Sequence, residues 1–258
     1  MGCTGLSSPL HVVAYTTDGS KAVIGGSAMQ SMFANCTSLT ISGDITADEL
    51  GGSCCQSCYS GCTNLKTTGK ILVSGDAGGS AFKNMYSNCQ NLESFTNINI
   101  NVLNNSACEE MFMNCISLKT LGNLNINTVK SYTCKNMFKG CTAIEALPIM
   151  NIRYCGSTKA NDANGSYCFH GMFSGCTKIT SIGYLFPKLQ TISPYACFQM
   201  FKDCTGLIDI SNDSLPGGFK TIIPVLVKFG TQLNSSGNKI DFFSEGTYVQ
   251  QLLTIDGE

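Results

Sequence analysis

The chain has 258 residues, 43% of them hydrophobic and only 13% charged, with a formal net charge of −1. That balance supplies the core of one large domain or two small ones and excludes the basic footprint of a nucleic-acid binder or of a protein drawn to anionic membrane. The polar surface must then come mostly from Ser, Thr, Asn and Gly, as is more common on extracellular and virion proteins than on cytosolic enzymes.

No apolar run approaches the roughly 18 residues needed to span a bilayer, so no membrane insertion is expected. The opening "MGCTGLSSPLHVV" has neither a basic n-region nor a long apolar one, and no signal peptide is expected. Leu6 also departs from the myristoylation pattern, which wants Ser or Thr there. Residues 1–26 precede the first repeat and are read as an N-terminal cap, because a stack of repeats exposes an edge at each end.

From residue 27 one unit recurs. "AMQSMFANCTSL" (28–39) returns as "CCQSCYSGCTNL" (54–65), "AFKNMYSNCQNL" (81–92), "ACEEMFMNCISL" (107–118), "TCKNMFKGCTAI" (133–144), "CFHGMFSGCTKI" (168–179) and "ACFQMFKDCTGL" (196–207). One cysteine is common to all seven: Cys36, Cys62, Cys89, Cys115, Cys141, Cys176 and Cys204. Self-similarity at a period near 26 residues is the signature of a solenoid.

Each slot has a physical job on this reading. Ser27, Ser53, Ser80 and Ser106 stand where a helix N-cap would accept a free N–H, and later copies carry Tyr there with Ser one or two residues earlier. A Met-aromatic pair such as Met32/Phe33 or Met111/Phe112 follows, read as the buried face of a short helix. Asn35, Gly61, Asn88, Asn114, Gly140, Gly175 or Asp203 stands just before the cysteine, a residue type that tolerates the left-handed conformation ending a helix. After the cysteine, apolar residues at plus three and often plus six (Leu118/Leu121, Ile144/Leu147) predict a strand. A second extended run ("INI" at 98–100, "LNI" at 124–126) predicts parallel strands once the copies stack.

With these motifs in view, the sequence resembles the BspA-type (Treponema-type) leucine-rich repeats in their MF-x-G/N-C-x-x-L variant, over roughly residues 27–215. Several units lack that family's Pro, and the 35-residue step from Cys141 to Cys176 holds an insertion. The resemblance implies a curved solenoid in a surface-exposed, secreted or phage-borne protein, with adhesion and protein binding as its roles. It implies no reaction and no cofactor.

The insertion "NIRYCGSTKANDANGS" (151–166) is rich in Asn, Gly and Ser and is read as a loop. Residues 216–258 alternate apolar and polar positions, as a C-terminal cap would or, on the competing reading, a segment for attachment or self-association.

The candidate sites are few. "SCCQSCYSGC" (53–62) puts Cys54, Cys55, Cys58 and Cys62 together like a metal site, yet every one has an address in the repeat. The shared cysteines are read as a structural ladder of reduced, packed thiols, and Cys3 and Cys155, outside it, as the exposed reactive ones. Cys58 replaces a methionine, which predicts a packing gap or a contact with Cys55 or Cys62. Zinc would want four convergent ligands, and the chain has only His11 and His170. A Cys168–His170 nucleophile pair has no orienting carboxylate beside it, and His170 reads as a surface residue, so the chain is expected not to be an enzyme.

Four residues after the ladder cysteine come Lys66, Glu93, Lys119 and Glu145, alternating in sign. The plainer reading is charge pairing across neighbouring strands, about 0.2–1 kcal/mol for each pair. The functional reading makes them, with Thr180 and Asp209, the face that meets a partner.

The expected fold is thus α/β: a right-handed leucine-rich-repeat solenoid of about seven 26-residue units, with parallel strands, short helices and a cap at each end. The expected function is a non-enzymatic recognition or adhesion scaffold on a cell or virion surface, binding a protein or glycan. The alternative is a structural or decoration protein of a particle such as a phage virion, a stiff spacer with contacts at its ends.

Overall fold

A computed structural model of the chain describes residues 5–7, 11–16, 18, 20, 22–156, 167–180, 185–186, 188–190, 196–197 and 199–206. The strand side of the molecule is one parallel sheet. It contains β1 (Val12–Val13), β2 (Val23–Ile24), β3 (Ile45–Ala47), β4 (Glu49–Leu50), β5 (Ile71–Ala77), β6 (Ile98–Leu103), β7 (Leu124–Val129) and β8 (Met150–Cys155). Strands β1, β3, β5, β6, β7 and β8 lie side by side in that order, while β2 pairs with β4 and β4 with β5. From β3 to β8 this makes about five turns of a solenoid. Residues 185–186 and 188–190 extend it, since Met150 N–H donates to Leu185 O and Gln190 N–H to Arg153 O.

The register follows from burial. Ile71, Ile98, Leu124 and Met150 are partners in neighbouring strands, as are Val73, Ile100, Ile126 and Ile152, and all face the core. The outward column Asn99, Asn125 and Asn151 forms an amide ladder, each Nδ2 donating to the preceding Oδ1 at 2.7 Å. A one-residue slip would turn these amides inward and the Ile columns outward, so the pattern holds the register. The 27-residue step from Cys62 to Cys89 is explained here. The pairing offset between β5 and β6 is 27 at Val73↔Ile100 and 26 at Asp76↔Val102, so the extra residue is a bulge in β5.

The side opposite the sheet differs from the expectation. No helix occurs among the described residues; the segments expected to be helical are ribbons of overlapping turns. In the first, Ser27 (φ +55°), Ser31 (+54°) and Asn35 (+59°) are left-handed, one residue in every four. A right-handed helix cannot contain such residues. Gln30, Met32, Ala34 and Cys36 donate to the carbonyl three residues back, while Met29, Ser31, Phe33 and Asn35 donate to Cys54, Gln56, Cys58 and Ser60 of the next ribbon. Alternate amides thus close turns locally and bind the neighbour, which satisfies the backbone with neither helix nor strand. The next five segments, starting at Ser53, Ser80, Ser106, Tyr132 and Tyr167, repeat this pattern. We call each of these segments a rung.

The proposed N-cap serines are therefore left-handed turn residues. The slot before the cysteine is left-handed as expected, at +59° to +75°, but as the last of three such positions rather than a helix stop. After the cysteine, the plus-three residues Leu118, Ile144 and Ile179 are buried, whereas the expected strand reduces to single bridges such as Ser94↔Thr120.

A left-handed residue every fourth position makes side chains run two in, two out. Inward stand Ala81/Phe82, Met85/Tyr86 and Cys89, all 0% exposed. Met32 alone of its column is exposed, at 46%, because no described rung precedes the first. The aromatic column forms one continuous stack, Phe33–Tyr59–Tyr86–Phe112–Phe138–Phe173–Phe201, with centroids 5.2–5.5 Å apart and planes within 16°. Phe95 packs on Phe112 at 4.8 Å from the strand side.

Two expectations about the ends need correction or placing. The described part of residues 1–26 joins the sheet, since Val12 and Val13 pair with Ile45 and Thr46. Residues 151–155, expected as loop, are strand β8, so the extra residues of the 35-residue step fall between Cys155 and Tyr167. Residues 157–166 and 216–258 lie outside the described residues.

Phe112 touches Tyr86, Phe95 and Phe138 at once. Phe112→Ala is expected to destabilise the chain by about 3–5 kcal/mol, read as a lowered urea midpoint. A loss under about 1 kcal/mol would show that the stack does not hold the rungs together.

Candidate functional site

The ladder cysteines end each ribbon, and their thiols bond to the preceding one. Cys62, Cys89 and Cys115 donate S–H to the carbonyls of Phe33, Tyr59 and Tyr86, each at 3.1 Å. Cys141, Cys176 and Cys204 do the same to Phe112, Phe138 and Phe173, at 3.0–3.1 Å. Each thiol therefore points at a carbonyl rather than at the next sulfur. All fifteen described cysteines are buried, and none of them is in a disulfide. Burial pushes the thiol pKa up to about 11 for Cys62 and about 12 for Cys58, Cys141 and Cys204, whereas the hydrogen bond from Cys55 outweighs burial at Cys54 and lowers it.

Cys155 belongs to this set too, against expectation. It stands in the inward column of Ala77, Leu103 and Val129 and is 1% exposed, so it is a packed thiol rather than a reactive one. Cys3 lies outside the described residues. In the 53–62 cluster the close sulfur pair is Cys54 and Cys55, at 3.7 Å, and Cys58 fills the methionine slot at 0% exposure. Among the described residues no group of three His, Cys, Asp or Glu side chains could hold a metal ion. Cys168 and His170 fall on opposite sides of the ribbon, Cys168 fully buried and His170 half-buried at the surface, so they do not form a pair.

The alternating charges, read as a stripe, lie at the surface. Lys66, Glu93, Lys119, Glu145 and Thr180 are all exposed. Glu93 N–H donates to Lys66 O and Lys119 N–H to Glu93 O, so the first three are lateral neighbours. Lys66 Nζ sits 2.9 Å from Glu93 Oε1. That hydrogen bond and charge, with Lys119 beyond, hold the Glu93 carboxyl below its ordinary value. Asp209 lies outside the described residues.

A second surface, which spacing alone did not single out, is the outward side of the ribbons. Lys83 and Lys135 flank Glu109 at 3.0 and 3.4 Å. Burial works to raise the Glu109 carboxyl, but hydrogen bonds from Lys83 and Ser106 and the two lysine charges outweigh it and hold it low. Tyr132 and Tyr167 stack at 5.5 Å, Lys135 Nζ lies 5.5 Å over the Tyr132 ring, and His170 leans on Tyr167 at 5.6 Å. The signal for this cluster was present as Tyr in a slot that is Ser in four copies. A helical reading obscured which residues share its face.

The thiols make a pH prediction. A cysteine in the unfolded chain ionises near pH 8.5, while the folded values are about 11–12. The folded state therefore keeps protons that the unfolded state has released. This contribution is complete below about pH 8.5 and is lost as pH rises toward the folded values, at about 1.4 kcal/mol per pH unit for each thiol. Urea midpoints should fall steeply between about pH 9 and 11. A midpoint flat to pH 10.5 would contradict the buried-thiol account. At pH 8 the fifteen buried thiols should react with a thiol reagent only as the fold opens.

No protein-family model matches the chain, and no curated protein matches it. Two solved structures are similar to it. One is a leucine-rich repeat protein from Bacteroides ovatus ATCC 8483, 17% identical over 69% of this chain and 50% of that one, with a TM-score of 0.37. The other is a leucine rich cell surface protein from Faecalibacterium prausnitzii A2-165, 14% identical over 79% of this chain and 76% of that one, with a TM-score of 0.26. The chain thus spans half the length of the first. The solenoid description rests on the chain's own strand register and rung-to-rung hydrogen bonds.

Proposed function

We propose that the protein is a non-enzymatic recognition scaffold that works on a cell surface and binds a protein or glycan. The observation that carries this reading is the division between the two sides of each ribbon. Two inward columns repeat one residue type from rung to rung, cysteine in one and an aromatic ring in the other. One outward column instead runs Gln30, Gln56, Lys83, Glu109, Lys135, His170 on an unchanging backbone. A rigid frame that keeps its cysteine ladder and aromatic stack while an outward column changes in size and charge suits display and contact, where binding residues sit on a preformed scaffold. The buried thiols fit an oxidising exterior as well, because none is within reach of solvent oxidants.

The exposed stripe Lys66, Glu93, Lys119 and Glu145 is one face for such contact. Replacing all four by Ser should cost little stability, about 1 kcal/mol or less per ion pair. It is expected to weaken binding to host cells or to an arrayed panel of glycans and proteins. Unchanged binding removes the stripe from the contact. Binding that survives every outward substitution, and is lost when residues 216–258 are removed, supports instead a stiff spacer of a particle that makes its contacts at its ends.

A further inference from the structure

The sixth rung carries Gly171 and Ser174 at two outward positions, both buried. Its neighbours carry long side chains there: Asn136 and Lys139 on the fifth rung, Gln199 and Lys202 on the seventh. The register is fixed by Gly140 N–H donating to Ser174 O and Gly175 N–H to Lys202 O, so Lys139 and Lys202 stand on either side of Ser174. The sixth rung is thus the floor of a recess. Gly171 is left-handed at +59° like its counterparts Asn136 and Gln199, and Asn136 Oδ1 lies 2.5 Å from where its Cβ would stand, so the Asn136 side chain leans over Gly171 and leaves the Ser174 position as the open part of the floor.

One end of the recess is aromatic. Tyr132, 40% exposed, and Tyr167 are stacked, with His170 beside them and Lys135 over the Tyr132 ring. Both tyrosines are left-handed, at +56° and +61°, a conformation costly to a bulky side chain. Four earlier rungs place Ser in the same slot. Burial first, then the charge of Lys135 and, more weakly, those of Lys139 and Lys202, hold the His170 imidazole below its ordinary pKa against a hydrogen bond with Gln199 that raises it. Glu109 and Glu110 lie on the far side of Lys135 and Asn136, and Glu109 is held by Lys83 as well.

We propose that this recess, over Ser174 between Lys139 and Lys202, binds an acidic saccharide, with its carboxylate or sulfate at the lysines and a sugar ring against Tyr132. The inference rests on the recognition-scaffold reading but not on the charged stripe. Charge complementarity selects an anion, and an aromatic ledge suits the apolar face of a sugar. A nucleic acid would want a longer basic track than a chain of net charge −1 presents.

The test uses the full chain against immobilised polygalacturonate and a sulfated polysaccharide, with neutral dextran as control. Binding to both acidic polymers and not to dextran is expected, weakening as salt rises. Lys139→Ser with Lys202→Ser should lower affinity at least about tenfold. Tyr132→Ser, which restores the residue of the first four rungs, should lower it about tenfold while leaving the melting temperature unchanged or higher. The four-serine stripe variant should bind as the parent does. Equal binding to dextran, or full binding by both recess variants, overturns the proposal. So does preference for single-stranded RNA or an acidic protein over both polysaccharides. Binding of other glycans or proteins that the stripe variant loses would leave the scaffold reading standing without this site. No binding to any array would remove both.

Discussion

A left-handed residue at every fourth position of each ribbon is the constraint on which the rest of the molecule depends. It turns alternate amides out of the local turn and toward the neighbouring rung, so the Met29 amide reaches Cys54 and the Phe33 amide reaches Cys58. The same geometry makes side chains point inward in pairs. The aromatic column can then stack without interruption over a solenoid whose opposite side is a parallel sheet. Each stacked pair adds about 0.5–1.5 kcal/mol beyond its buried area, and six successive contacts make the rungs cooperative.

The ladder cysteine follows from this arrangement. The carbonyl of Phe33 already accepts the amide of Cys36 and has a second lone pair facing the next rung. A small side chain with a weak donor fits there, and the Cys62 thiol takes it without the demands of a buried hydroxyl. Recurrence on every rung therefore does not lead to sulfur–sulfur pairing along the ladder: the thiols of Cys62, Cys89, Cys115, Cys141, Cys176 and Cys204 are each committed to a carbonyl. Two rings of the stack are tyrosines, and their hydroxyls are satisfied locally, Tyr86 by Ser42 Oγ at 3.0 Å and Tyr59 by Gly43 N–H at 3.3 Å.

With so few charges, the outward surface derives its character from a handful of positions. Lys66 and Glu93 pair across rungs, which places the alternating stripe in a neutral balance. The tyrosine slot and the positions around Ser174 instead place Lys135, Lys139 and Lys202 on the side of the molecule that carries the stacked Tyr132 and Tyr167. Both surfaces sit on a frame whose hydrogen bonds do not depend on them, so outward residues can vary while the core stays constant.

The repeat, its parallel strands and the burial of the shared cysteine were legible because identical residues returned at fixed steps and each slot had one environment. The charged stripe was legible for the same reason. The helix was misread because apolar residues at 28, 29, 32, 33 and 36 look helical over a short window. Their period is four, however, and at 100° per residue Cys36 would lie about 80° from Ala28 on a helix. Asn84, Asn136 and Gly171, poor helix formers in the middle of those segments, carried the true signal. Cys155 was misplaced because Asn, Gly and Ser around it read as loop, while its burial comes from columns supplied by Ala77, Leu103 and Val129. The sequence by itself determined the repeat length and the burial of the shared cysteine and the aromatic column. Only the tertiary structure decided the path of the backbone between strands and which outward residues meet, because each amide that chooses it has its partner about 25 residues away on the next rung.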